Sequence, residues 1–140
     1  LKVLHGDRRD RINRAEPEPP EAEVACPKWL SPEARAVWAR LAPGLVQRGI
    51  LTVWDVDLFA RFCALEVFNR LALEDVQQRG ILVAGRNRAR VKNPALQVVR
   101  DTGAELRALA ARFGLTPSDR SQLRAPEAPG GKKAAQRLLS

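Results

Sequence analysis

The chain has 140 residues, 45% hydrophobic and 29% charged, and its 24 basic against 16 acidic residues give a formal net charge of +8; such a composition supports one globular domain. Two cysteines, Cys26 and Cys63, and a single histidine, His5, exclude a disulfide scaffold, a cysteine–histidine zinc site and a histidine-based catalytic triad. No run approaches the ~18 apolar residues of a membrane span and no signal-peptide apolar region opens the chain, so a soluble, intracellular, strongly basic protein is expected.

Residues 1–27 read as a flexible N-terminal arm. Its first half holds Lys2, Arg8, Arg9, Arg11 and Arg14 against Asp7 and Asp10. Its second half carries only acids, Glu16, Glu18, Glu21 and Glu23, among Pro17, Pro19, Pro20 and Pro27. A segment of this kind buries too little apolar surface to offset the entropy of ordering. With Leu1 rather than methionine in first place, the arm is expected to extend upstream. The core is expected over 28–123. Ser31 is a good N-cap and Pro32 a good first helical residue. Ala34, Val37, Trp38, Leu41 and Leu45 follow on one helical face. Pro43 predicts a kink or an end near Ala42, and Gly49 a stop.

Thr52 and Asp55 mark a second helix start, with the acid favourable in the first turn. The helix is expected over about 53–79 and carries two apolar stripes. Leu58, Phe62, Leu65, Ala72 and Val76 form one; Val56, Phe59, Cys63, Val67 and Leu71 form the other, nearly opposite. A helix apolar on two sides must be covered on two sides. One cover is expected from the chain's own helices and the other from a neighbouring subunit, with Phe59, Cys63, Val67 and Leu71 as oligomerisation residues.

Gly80 ends that helix, and Ile81, Leu82, Val83 and Ala84 form a short β-prone run. A turn over 85–88 and a return over 89–92 predict a small hairpin. Asn93 and Pro94 then start another helix, in which Leu96, Val99, Gly103, Leu106, Ala110 and Phe113 recur at steps of three and four. That heptad-like seam suits a helix hairpin or an oligomer lining. Gly114 stops it, Thr116-Pro117 opens a last turn toward Leu123, and 124–140 read as a flexible basic tail. The expected fold is mainly α: a compact helical core with a long central helix, a small β-hairpin and a further long helix, flanked by flexible arms.

No phosphate-cradling glycine loop is present. Gly130-Gly131-Lys132-Lys133 lacks a preceding strand and the loop's glycine spacing. No nucleophile, base and orienting group come together in the pattern. Neither an enzyme nor a cofactor or metal site is therefore expected. The charge is the informative feature. Nineteen of the 24 basic residues are arginine, and the excess lies on the arm, the tail and the hairpin. Arg86, Arg88, Arg90 and Lys92 have no acid among them over 86–92. Guanidinium groups along a ribbon edge suit phosphate contacts and guanine readout, so these four residues, with Arg8, Arg9, Arg11 and Arg14 of the arm, are the candidate DNA-binding set. A solvated turn whose charges discourage edge pairing explains the hairpin equally simply.

The order of five segments carries a resemblance. Leu1-Lys2-Val3-Leu4-His5-Gly6, Pro27-Lys28-Trp29-Leu30-Ser31, Gly49-Ile50-Leu51-Thr52-Val53-Trp54-Asp55, Val91-Lys92-Asn93-Pro94-Ala95-Leu96 and Phe113-Gly114-Leu115-Thr116-Pro117-Ser118 together resemble the P27-type family of phage terminase small subunits. The likeness covers roughly residues 1–123. Each segment alone is mainly helix-boundary chemistry; the joint order is what is specific. His5, where the family usually has arginine, and the arginine-rich hairpin are the departures.

The resemblance implies a packaging factor of a tailed double-stranded DNA phage or prophage, working in the bacterial host cytoplasm. It would bind viral DNA at the packaging site, assemble into a ring and present the DNA to a large terminase subunit that holds the ATPase and nuclease. No membrane partner is implied. Two other readings compete: a small dimeric DNA-binding transcriptional regulator reading through the first two helices, and a structural adaptor whose charges meet an acidic protein.

Overall fold

The computed structural model of the chain describes residues 17–123. In chain order these form α1 (Pro32–Gln47), α2 (Val56–Arg79), β1 (Leu82–Ala84), β2 (Arg90–Lys92), α3 (Ala95–Arg112) and the short α4 (Pro117–Gln122). The architecture is the expected one, mainly helical with one antiparallel hairpin. No described helix is long and apolar enough to cross a membrane.

The caps explain most boundaries. Ser31 Oγ accepts the Ala34 N–H at 3.2 Å and opens α1, with Pro32 in the first turn. Pro43 does not end the helix. Leu45, buried beyond it, anchors the last turn to the core, so packing outweighs the hydrogen bond that proline removes. Gly49 then takes a φ of 69°, letting the Ile50 and Leu51 N–H groups both return to the Leu45 carbonyl, at 2.9 and 3.2 Å. Asp55 reaches back to Thr52, accepting from its backbone N–H at 2.9 Å and its hydroxyl at 2.7 Å. That closes a turn over 52–55 and delays the start of α2 to Val56.

Phe59 on α2 joins all three long helices. It is fully buried, 5.1 Å centroid to centroid from Trp38 of α1, 5.9 Å from Phe62, and 5.1 Å edge-on from Phe113 at the end of α3. Aromatic pairs in tilted and edge-to-face geometry add to the area they bury. A polar clasp fixes the α2–α3 register: Asn69 Nδ2 donates to the Val99 carbonyl at 3.1 Å and to Thr102 Oγ1 at 2.8 Å.

This packing corrects one expectation. The two stripes of α2 do not require a neighbour, because α1 and α3 of the same chain flank it. Phe59 and Cys63 are fully buried within the single chain and Val67 nearly so; of the four residues assigned to oligomerisation only Leu71 is exposed, at 52%. The seam of α3 is likewise used internally, with Leu106, Ala110 and Phe113 packed on the core. Residues 1–16 of the expected arm lie outside the described residues. Residues 17–27 have no helix or strand, but Val24 and Cys26 rest against the core, being the larger apolar members of an acidic and proline-rich run. The tail over 124–140 lies outside the described residues.

Candidate nucleic-acid interface

The hairpin projects from the far end of α2, and none of its residues from Leu82 to Lys92 is fully buried. In its register Leu82 opposes Lys92, Val83 opposes Val91 and Ala84 opposes Arg90. Alternation along a strand places Leu82, Ala84, Arg90 and Lys92 on one face and Val83 with Val91 on the other. Arg86 and Arg88 sit on the connecting turn, not on a strand, so the expected guanidinium groups do not line up along one ribbon edge. Two arginines crown the tip instead, with Arg90 and Lys92 behind them on one face. All four cations are exposed.

The tip is locally strained. The Ala89 N–H donates to the Arg86 carbonyl at 3.3 Å, and the two residues between them, Asn87 and Arg88, have φ of 59° and 61°. Positive φ at both central positions is the geometry that Asn-Gly satisfies most easily. Asn87 suits its place; Arg88 stands where glycine is favoured and costs about 1 kcal/mol to hold there. Gly85 is required for a different reason. A Cβ at that position would lie 2.7 Å from Val91 Cγ1.

A two-stranded hairpin is marginal alone, and Asn93 supplies the anchor. Its side chain is fully buried. Nδ2 donates to Asp75 Oδ1 at 2.9 Å and to the Gly80 carbonyl at 3.0 Å, while Oδ1 accepts the Ala95 N–H at 2.9 Å. Its backbone N–H donates to the Ile81 carbonyl at 2.7 Å. One residue thus ties the end of α2, the root of both strands and the start of α3. Arg79 completes the junction, pairing with Asp75 at 2.8 Å. The Arg79 guanidinium, and then the Asn93 amide, hold the Asp75 carboxyl below its ordinary range. The sequence marked Asn93 only as a helix start; nothing local in it announced the contact with Asp75, eighteen residues earlier.

Elsewhere the surface offers less. An open groove of about 510 Å³ between α1 and α2 sets Glu33 and Glu66 beside Arg40 and Arg70, a balanced set with no preference for a polyanion. Burial pushes the Cys63 thiol up to about 12, so it stays protonated and is no nucleophile at neutral pH. No group of three metal-capable side chains occurs among the described residues. α2 is flanked by both α1 and α3 and keeps only part of its surface exposed. Arg8, Arg9, Arg11 and Arg14 lie outside the described residues.

A family model described as phage terminase, small subunit, matches residues 34–129. The chain belongs to the phage terminase small subunit family. That match takes in most of α1, all of α2 and α3, and the hairpin, and it covers three of the five sequence segments that carry the resemblance. No curated protein and no solved structure gave a significant match. Among the described residues, this terminase small subunit carries four exposed cations, Arg86, Arg88, Arg90 and Lys92, on the hairpin.

Proposed function

We propose that this terminase small subunit binds double-stranded viral DNA through the hairpin residues Arg86, Arg88, Arg90 and Lys92, aided by Arg8, Arg9, Arg11 and Arg14, and presents the packaging site to the large terminase subunit. It works in the bacterial host cytoplasm and performs no chemistry of its own; cleavage and ATP hydrolysis belong to the large subunit. One observation carries the reading: four exposed cations with no intervening acid on a rigidly anchored projection, one of them held in an unfavourable backbone conformation. Residues that break a local rule without a structural gain mark functional sites.

Several copies would share the task, since a ring turns modest phosphate contacts into avidity. Phe68 and Leu71, three residues apart on α2 and 55% and 52% exposed, now replace the buried stripe as the surface for self-association. Native mass at moderate salt is expected to give one closed oligomer larger than a dimer; a monomer both with and without DNA would refute the assembly.

The DNA reading is tested with Arg86→Ala/Arg88→Ala/Arg90→Ala. Each lost phosphate contact flattens the dependence of log K on log salt by about 0.9, so the triple variant is expected to be shallower by roughly 2 to 3. An unchanged slope and affinity would remove the hairpin from the interface.

A further inference from the structure

We propose that the outward face of α3 is a second DNA-backbone contact, continuous with the hairpin, in which Arg100 and Arg107 hold phosphates of the same duplex. The inference rests on the DNA-binding reading and extends it to a site on a helix.

Thr102 and Leu109 turn inward and are buried, whereas Arg100 and Arg107 lie on the opposite side and are exposed. Seven residues make two helical turns, so the two guanidinium groups emerge from one face about 10 Å apart. Neither forms an ion pair among the described residues. The nearby acids are turned aside: Asp101 accepts from Gln97 Nε2 at 2.8 Å, and Glu105 pairs with Arg61 at 2.9 Å. Ala104 and Ala111, exposed on the same face, carry no long side chain to hold a rigid duplex away from the helix.

Continuity with the hairpin selects the ligand. Ala95, the first residue of α3, follows Lys92 by three positions, and Arg100 lies about 8 Å further along the axis. Asn93 locks that junction, so the root of the hairpin and the start of α3 keep one fixed relation. An extended row of cations on a rigid scaffold fits an extended row of fixed anions, and duplex DNA presents one charge per ~1.7 Å of axis. Contacts of this kind position a protein on DNA without reading its sequence.

The experiment titrates full-length wild type, Arg100→Ala/Arg107→Ala, Arg100→Lys/Arg107→Lys and the hairpin triple variant against a duplex across a salt series. Arg100→Ala/Arg107→Ala is expected to flatten the salt slope by about 2 and to weaken binding roughly 10- to 100-fold near 0.1 M salt. The lysine pair, which keeps both charges, is expected to retain most of the slope. An alanine pair indistinguishable from wild type, beside a hairpin variant with a shallower slope, overturns the α3 contact and leaves the hairpin reading standing. Wild type with no salt-dependent binding overturns both.

Discussion

Phe59, in the helical core, is fully buried against aromatic rings from all three long helices, whereas no residue of the hairpin between Leu82 and Lys92 is fully buried. Packing dictates residue type at the centre of the core. At the hairpin the backbone is fixed from outside, by Asn93, Asp75 and Arg79, and packing leaves its exposed side chains unspecified. Their run of arginines therefore answers to something other than the fold. Core and hairpin should accordingly respond to substitution in different currencies, one in stability and the other in affinity.

The largest expected effect is in the core. Phe59→Ala empties the point where three helices meet and is expected to lower unfolding free energy by about 3–5 kcal/mol, read from urea denaturation. A loss under 1 kcal/mol would mean that the helices do not depend on this contact. Asn93→Ala probes the seam between the two regions. It leaves partly buried partners unpaired and is expected to cost about 1–3 kcal/mol, with hydrogen exchange accelerating over 81–95 more than in α1. Uniform acceleration would show that Asn93 serves the whole fold instead. Acid is the milder form of that change. Asp75 titrates below its ordinary value, so its contribution is present at neutral pH and lost as pH falls below about 4.

The smallest effect on stability is the most discriminating. Arg88→Gly relieves the positive-φ residue at the tip and is expected to leave stability unchanged or raise it by up to about 1 kcal/mol. The same change removes a cation and should flatten the salt slope of DNA binding by about 1. Stability and affinity moving together would contradict the division between core and hairpin.

Local signals made much of this fold legible. Ser31-Pro32, Gly80, Gly85, Asn93-Pro94 and Thr116-Pro117 each stand within a residue or two of an observed boundary, because caps and turns are short-range chemistry. What escaped was long-range. Two apolar stripes on α2 suggested a neighbouring subunit, yet nothing in the stripe itself distinguishes a cover supplied by α1 and α3 from one supplied by another chain. Pro43 suggested a break, but burial of Leu45 beyond it outweighed one missing hydrogen bond. For the site, the cations and the turn over 85–88 that carries Arg86 and Arg88 were visible in the sequence, while the buried anchor at Asn93 depends on three-dimensional contacts.

Hydrogen exchange of the full chain with and without a duplex tests the central claim, that the hairpin is where DNA sits, most directly. Slowed exchange over 82–92 on DNA addition, with α1 and the 48–55 turn unchanged, is the expected result. Protection confined to the α1–α2 turn, with the hairpin unaffected, would contradict the claim and favour a helix-based reader.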